Sequence, residues 1–269
     1  MKKRLISLLL ITLMIFSFTA CQKNSSGDNS LKYIKDNGKF IVGLDDTFAP
    51  MGFTDDNGDI IGFDVDLARA VSEKLGVELV LQPIKWEAKE QELVTKNIDC
   101  IWNGLSVTPE RKENMTMSKS YMTNDISLVV KSDSTIATMA DMKGLKLAVQ
   151  GGSSAEEALN DDANKAFRES LGQVNPFDKY DTALMDMETG NSDAVLMDTV
   201  MANYMITTLG KDYKVLAESL LPDEYAVGFR KGDVELCTAV EKALSELKAE
   251  GTVAEISTKW FGTDITTIE

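Results

Sequence analysis

Arg111 stands in the first turn of an expected helix, where a cation is out of place. The run 103–111 reads NGLSVTPER. Thr108 followed by Pro109 is a helix start: a hydroxyl N-cap, then the one residue with no N–H to leave unpaired. A positive side chain in that turn faces the positive end of the helix dipole and costs about 0.3–1 kcal/mol unless an anion sits beside it. Ser106 and the free amides of the turn point at the same spot, so the stretch suits a carboxylate. The alternative is a surface pair with a neighbour such as Glu113. A second stretch of the same kind is 150–157, QGGSSAEE, where Ser153 with Glu156, or Ser154 with Glu157, makes a capping box and opens another helix. Asp198 follows the apolar run 194–197 and brings a negative charge. A small molecule with both an α-carboxylate and an α-ammonium answers all three features.

The elements that must hold these residues are strands alternating with helices. Strands are expected at 39–44, 77–81, 98–102, 126–131, 145–149, 194–197, 214–216 and 224–230. Helices are expected at 30–38, 64–75, 87–96, from Thr108, from Ser153, and at 181–189, 199–209 and 234–250. Asp55 to Gly58 is a turn signal between apolar neighbours and predicts a hairpin across 51–61. Asp64 reads as the N-cap of the following helix and Asp66 as an acid suited to its first turn, so both are given structural roles. Such alternation means α/β units with mainly parallel sheets. Asp45, Asn103, Gln150 and Asp198 then lie just past the C-terminal ends of strands, where open α/β sheets place ligands. Phe48 and Trp86 follow the first and second strands and suit apolar walls. Trp102 reads as core or pocket floor.

The chain has 269 residues and a formal net charge of −15, or −18 once Lys2, Lys3 and Arg4 are set aside. Such a surface argues against nucleic acid and anionic membrane as partners. With no histidine, no His-dependent triad or His metal site is open to it, and no cofactor is called for. Residues 1–20 have a basic start and an apolar stretch of secretory type, ending in small residues before Cys21. That ending resembles a bacterial lipobox with Phe18 in the usual leucine position; an ordinary signal peptide cut near Ala20 is the alternative. Residues 21–30 would then be a lipidated cysteine and a polar, flexible tether. The other cysteines, Cys100 in an apolar strand and Cys237 on a helix face, read as two buried thiols rather than a disulfide.

The motifs GFDVDL (62–67), GLSVTPER (104–111) and SDAVLMD (192–198) together resemble the polar amino acid substrate-binding proteins of ABC importers, over about residues 31–265. The resemblance implies the two-lobed type II periplasmic-binding fold, with residues 31–125 and 223–269 as lobe one, 126–222 as lobe two, and two hinge crossings. It implies that Arg111 grips a ligand α-carboxylate, that Ser106, Ser153, Ser154 and the Gly104 backbone add hydrogen bonds, and that Asp198 takes the ammonium. Phe48 and Trp86 would sandwich the ligand side chain; Asp45, Asn103 and Gln150 would set its preference, read here as polar. The implied partners are a free amino acid, the permease subunits of the importer, and the outer face of the cell membrane through a lipid on Cys21, the protein acting as a monomer. The rival class is an exported enzyme of the same fold, such as a cyclohexadienyl dehydratase, for which Asp45 or Glu224 would be the candidate acid.

Overall fold

The computed structural model describes residues 27–269. The signal-type segment, Cys21 and most of the tether lie outside the described residues.

In chain order the first half holds α1 (Ser30–Asn37), β1 (Lys39–Leu44), β2 (Thr47–Phe48), β3 (Gly52–Thr54), β4 (Ile60–Ile61), α2 (Phe63–Leu75) and β5 (Glu78–Pro83). These are followed by α3 (Lys89–Val94), β6 (Cys100–Ser106), α4 (Pro109–Asn114), β7 (Met115–Met117) and β8 (Met122–Lys131). The second half holds β9 (Lys146–Gln150), α5 (Ser154–Asn160), α6 (Lys165–Ser170), β10 (Gln173–Phe177), α7 (Tyr180–Glu188), β11 (Ala194–Asp198) and α8 (Thr199–Thr207). β12 (Tyr213–Arg230), α9 (Val234–Ala249) and α10 (Thr252–Phe261) complete it.

One sheet runs through the molecule in the order β10-β9-β11-β8-β12-β6-β1-β5, with β7 on β12. Its two ends, β10-β9-β11 and β6-β1-β5, are parallel. The middle is antiparallel: β8 pairs with β11, and β12 pairs with both β8 and β6. Two α/β units of parallel strands are thus joined by the long strands β8 and β12. Helix α2 shows how sequence sets local structure. Its apolar residues Phe63, Leu67, Ala68 and Val71 are buried against the sheet. Gly62 before it has φ of +147°, and a Cβ there would lie 2.3 Å from the Met51 carbonyl oxygen, so only glycine admits the chain at that angle. At the far end α10 packs back on the first unit: the Trp260 indole N–H donates to Asp66 (2.8 Å), and Phe261 meets Phe63 edge-on.

Several boundaries differ from expectation. The third strand does not stop at Trp102 but continues to Ser106, so Asn103 and Gly104 lie within β6 rather than past its end. The strands expected at 214–216 and 224–230 are one irregular strand, β12. β10 and α6 were not expected: β10 is a polar edge strand, where Pro176 is tolerated because no neighbour needs its N–H. The expected helix 87–96 is a short 3₁₀ turn, Trp86–Ala88, followed by α3. The N-cap of α2 is Gly62, not Asp64.

Candidate functional site

The Arg111 helix forms as its sequence demands. The Thr108 hydroxyl accepts the Arg111 backbone N–H at 3.3 Å and Pro109 opens α4. Arg111 itself is 1% exposed, so it is no surface pair with Glu113. Its Nη1 donates to the Ser106 carbonyl (3.0 Å) and its Nη2 to Glu157 Oε1 (2.7 Å), a carboxylate carried by α5 in the other unit. Its Nε has no partner among the described residues. Lys89, also buried, donates to the Gly152 carbonyl at 2.8 Å, and burial together with the charge of Arg111 pushes its ammonium down to about 8. Two buried cations therefore stand at this end.

Gly104 is placed by Asp64 rather than by its own strand alone. The Gly104 N–H donates to Asp64 Oδ2 at 2.7 Å, and the Tyr121 hydroxyl donates to the same oxygen at 2.8 Å. Burial pushes the Asp64 carboxyl up to about 7. With φ of +58° and the Phe48 ring 2.7 Å from where a Cβ would be, position 104 requires glycine.

The second capping motif resolves to Ser153. Its Oγ accepts the Glu156 N–H (3.2 Å), while Glu156 reaches back to the Gly152 N–H (2.7 Å). Ser154 and Glu157 are thereby left facing the first unit, where the Ser154 and Ser106 hydroxyls meet at 2.8 Å. Gln150, the last residue of β9, donates to Asp45 Oδ2 at 2.7 Å. Asp45 also accepts the Thr47 N–H and hydroxyl (3.0 and 2.7 Å), and its own N–H donates to Asn103 Oδ1 (3.0 Å). Asp198, the last residue of β11, accepts from Asn124 Nδ2 and the Tyr225 hydroxyl, both at 2.7 Å. Burial, reinforced by the charge of Asp223, pushes the Asp198 carboxyl up to about 7.

All eleven residues singled out for a ligand line one cavity between the two units, and Tyr180 joins them. The space left is about 10 Å³, room for a single water, because side chains of opposite walls bond to one another. Four partners went unforeseen: Tyr180, Asn124, Glu157 and Asp223. Trp102 is core, buried among apolar residues and 6.3 Å from the Tyr121 ring, and is not part of the lining. Glu224, one of the two acids considered for catalysis, is exposed and bonded to the Ser120 hydroxyl, away from this cavity. Cys100 and Cys237 are buried free thiols.

Two parallel α/β units joined by two long strands, with a cleft carrying buried charges of both signs, define a two-lobed type II periplasmic-binding fold. The chain belongs to the bacterial extracellular solute-binding proteins, family 3, whose model matches residues 40–263. It is 32% identical over 246 residues to the L-cystine-binding protein TcyJ of Escherichia coli, covering 91% of this chain and 90% of that one. A substrate-binding protein of an ABC uptake transporter from Streptococcus pneumoniae, solved with bound histidine, superposes with a TM-score of 0.86 at 41% identity, covering 90% of this chain and all (100%) of that chain. An ancestral amino acid-binding protein described as a precursor of cyclohexadienyl dehydratase superposes with a TM-score of 0.78 at 31% identity, over 86% of this chain and 99% of that one.

Proposed function

We propose that this chain captures a free amino acid between its two lobes and delivers it to an ABC importer. The observation that carries this reading is a single enclosed cavity whose walls present Arg111 and Asp198, both buried, with serine hydroxyls and a glycine backbone between them. Arg111 takes the α-carboxylate, Ser106, Ser154 and the Gly104 backbone add hydrogen bonds, and Asp198 takes the ammonium. Phe48, Trp86 and Tyr180 flank the ligand side chain, and Asp45, Asn103, Gln150 and Ser153 face its far end. Those four residues are all polar, so the ligand favoured is one whose side chain hydrogen-bonds.

Residues 31–125 with 223–269 form lobe one in this reading, 126–222 form lobe two, and β8 and β12 are the hinge. The bonds that bring the walls together, Arg111 to Glu157, Ser106 to Ser154 and Gln150 to Asp45, are those a ligand would exchange for its own. Charge-assisted hydrogen bonds contribute about 1.5–3 kcal/mol each. Several together reach the roughly 5.5 kcal/mol that a full switch between two conformations requires. A lipid on Cys21 would keep the protein on the outer face of the membrane, and it would act as a monomer. We read it as a binding protein rather than an enzyme, since Glu224 lies outside the cavity lining and Asp45 is fixed by the Thr47 N–H and hydroxyl.

Calorimetry against the twenty amino acids plus cystine and ornithine tests the reading. The expected result is tight binding of one or a few, lost by at least a hundredfold in Arg111→Ala and in Asp198→Asn. No response to any of them would overturn it.

A further inference from the structure

Asp198 is not the sole carboxylate at its corner. β8 and β12 pair so that Asn124 stands directly opposite Asp223, and Tyr225, two residues further along β12, points to the same face. The strand β8 alternates buried and exposed residues through Met122, Asn124 and Ile126, so Asn124 is the polar member of an inward row. Its side-chain nitrogen donates to Asp198 Oδ1 at 2.7 Å and to Asp223 Oδ2 at 3.0 Å. The two acceptor oxygens share that nitrogen and so lie no more than about 5.7 Å apart. Both residues are buried, 4% and 7% exposed.

The groups facing this pair can be named from each element. From β12 the Tyr225 hydroxyl donates to Asp198. From β6 the Ser106 hydroxyl donates to Asp223 at 2.6 Å. That uses its only proton, so the 2.8 Å contact with Ser154 is a bond donated by Ser154 of α5. From α7, Tyr180 adds another phenol close to Asp198. From α8, the Val200 N–H donates to the Asn124 side-chain oxygen Oδ1 and leaves the carboxylates alone. Arg111 on α4 is the cation whose field reaches Asp223, but its guanidinium is bonded to Glu157 and the Ser106 carbonyl. Among the described residues no lysine or arginine makes an ion pair with either acid. Burial raises both carboxyls, Asp198 to about 7, and Asp223's charge adds to that rise. Two buried like charges this close are relieved by one proton shared between them or by a cation brought from outside.

We propose that Asp223 is a second carboxylate of the ammonium subsite, and that ligand binding exchanges a proton held by the Asp198–Asp223 pair for the ligand's ammonium. This rests on the reading that Asp198 meets that ammonium. Ser106, already placed at the ligand, is the donor that ties Asp223 to the site, so the second acid answers to the bound molecule through one hydroxyl. The consequence is selectivity for a full positive charge on the α-nitrogen. It also makes affinity depend on pH with a definite sign: low pH protonates the pair, the proton competes with the ammonium, and binding weakens.

The test is calorimetry with L-arginine and L-glutamine, whose side chains do not titrate between pH 6 and 8. Titrations are run in phosphate and in Tris so that proton release appears as a buffer-dependent heat. For the wild-type chain, Kd is expected to rise about tenfold from pH 8 to pH 6, as follows for a competing proton on a group titrating near 7. About half a proton should be released on binding near pH 7, rising toward one at pH 6. Asp223→Asn keeps an acceptor for Ser106; it is expected to bind about tenfold more weakly at pH 8, with a shallower pH slope and less proton release, since burial still raises Asp198 but the second charge is gone. Because both proteins meet the same ligand, the ligand's own ionisation cancels in the comparison. A flat wild-type profile with no buffer dependence overturns the proposal, and that measurement needs no variant. So does an Asp223→Asn protein that retains wild-type affinity and slope, which would leave Asp223 a strand-pairing residue. If the wild-type chain binds no amino acid, the functional reading falls and this inference with it; binding with a flat profile removes this inference alone.

Discussion

Asp64 offers the sharpest check on the electrostatics of the fold, because it sits behind Gly104 and not in the cavity. Its carboxyl is 1% exposed, accepts the Gly104 N–H and the Tyr121 hydroxyl on one oxygen, and among the described residues has no hydrogen-bond partner for the other. Burial raises it from 3.8 to about 7. Between those values the folded chain holds a proton that the unfolded chain has released. The folded state therefore binds more protons, and stability falls as pH rises from about 4 through 7 and is level above that. At roughly 1.4 kcal/mol per pH unit, the loss from this one group between pH 5 and pH 8 comes to about 2.5 kcal/mol. Asp198, raised to about 7 by burial and by Asp223, adds a slope of the same sign. The carboxyls lowered by backbone hydrogen bonds, such as Asp141 and Asp264, lose their stabilisation only in acid, below this window. Lys89 acts above it: lowered to about 8, it makes stability rise from about pH 8 toward 10.5, where the unfolded chain is the one holding more protons.

The assay is urea unfolding of the wild-type chain and of Asp64→Asn at half-unit steps from pH 5 to 8, read as slope rather than absolute stability. The amide oxygen still serves the Gly104 N–H but no longer titrates. The wild-type midpoint is expected to fall steadily across the window, and Asp64→Asn to fall by about 2–3 kcal/mol less. A wild-type chain whose stability is flat or rises over this range, or a variant with the same slope, would refute the reasoning.

Gly104→Ala forces a side chain into a left-handed backbone and against the Phe48 and Tyr225 rings, with contacts of 2.7 and 3.2 Å. It is expected to lower stability by about 1–3 kcal/mol, measured by thermal unfolding, and to weaken ligand binding alongside. Glu157→Gln removes the protein's own carboxylate from Arg111. Since Glu157 is a third exposed and re-enters water easily, the variant is expected to bind the amino acid several-fold more tightly by calorimetry; weaker binding would show that Glu157 supports Arg111 rather than competing for it. Cys100 and Cys237 are buried, and burial raises both thiols, Cys237 to about 12. Neither is expected to react with a chromogenic disulfide reagent until denaturant is added, when two thiols should appear for the described residues.

The residues legible in advance are those whose signal is local. Thr108 before Pro109 and Ser153 before Glu156 mark helix starts within four residues, and Asp198 closes an unbroken apolar run; each signal survives folding because its partner is a near neighbour in the chain. Asp64 misled for the same reason: in a first turn, an acid reads as a cap, and nothing local says that Gly104, forty residues on, will need an acceptor. Asn124, Glu157 and Asp223 were missed because their partners lie 74, 46 and 117 residues away, brought near by strand register or by contact between the lobes. Yet a trace of two of them stands in the sequence. Asn124 falls between Met122 and Ile126, and Asp223 between Leu221 and Tyr225, each a polar side chain in step with apolar ones at spacing two. On a strand that spacing means the same face, and a buried polar group on that face demands a partner. Two such interruptions in strands that pair with each other are most economically satisfied by one another, which is how Asn124 comes to stand opposite Asp223 and why a second acid reaches the corner that Asp198 had seemed to hold alone.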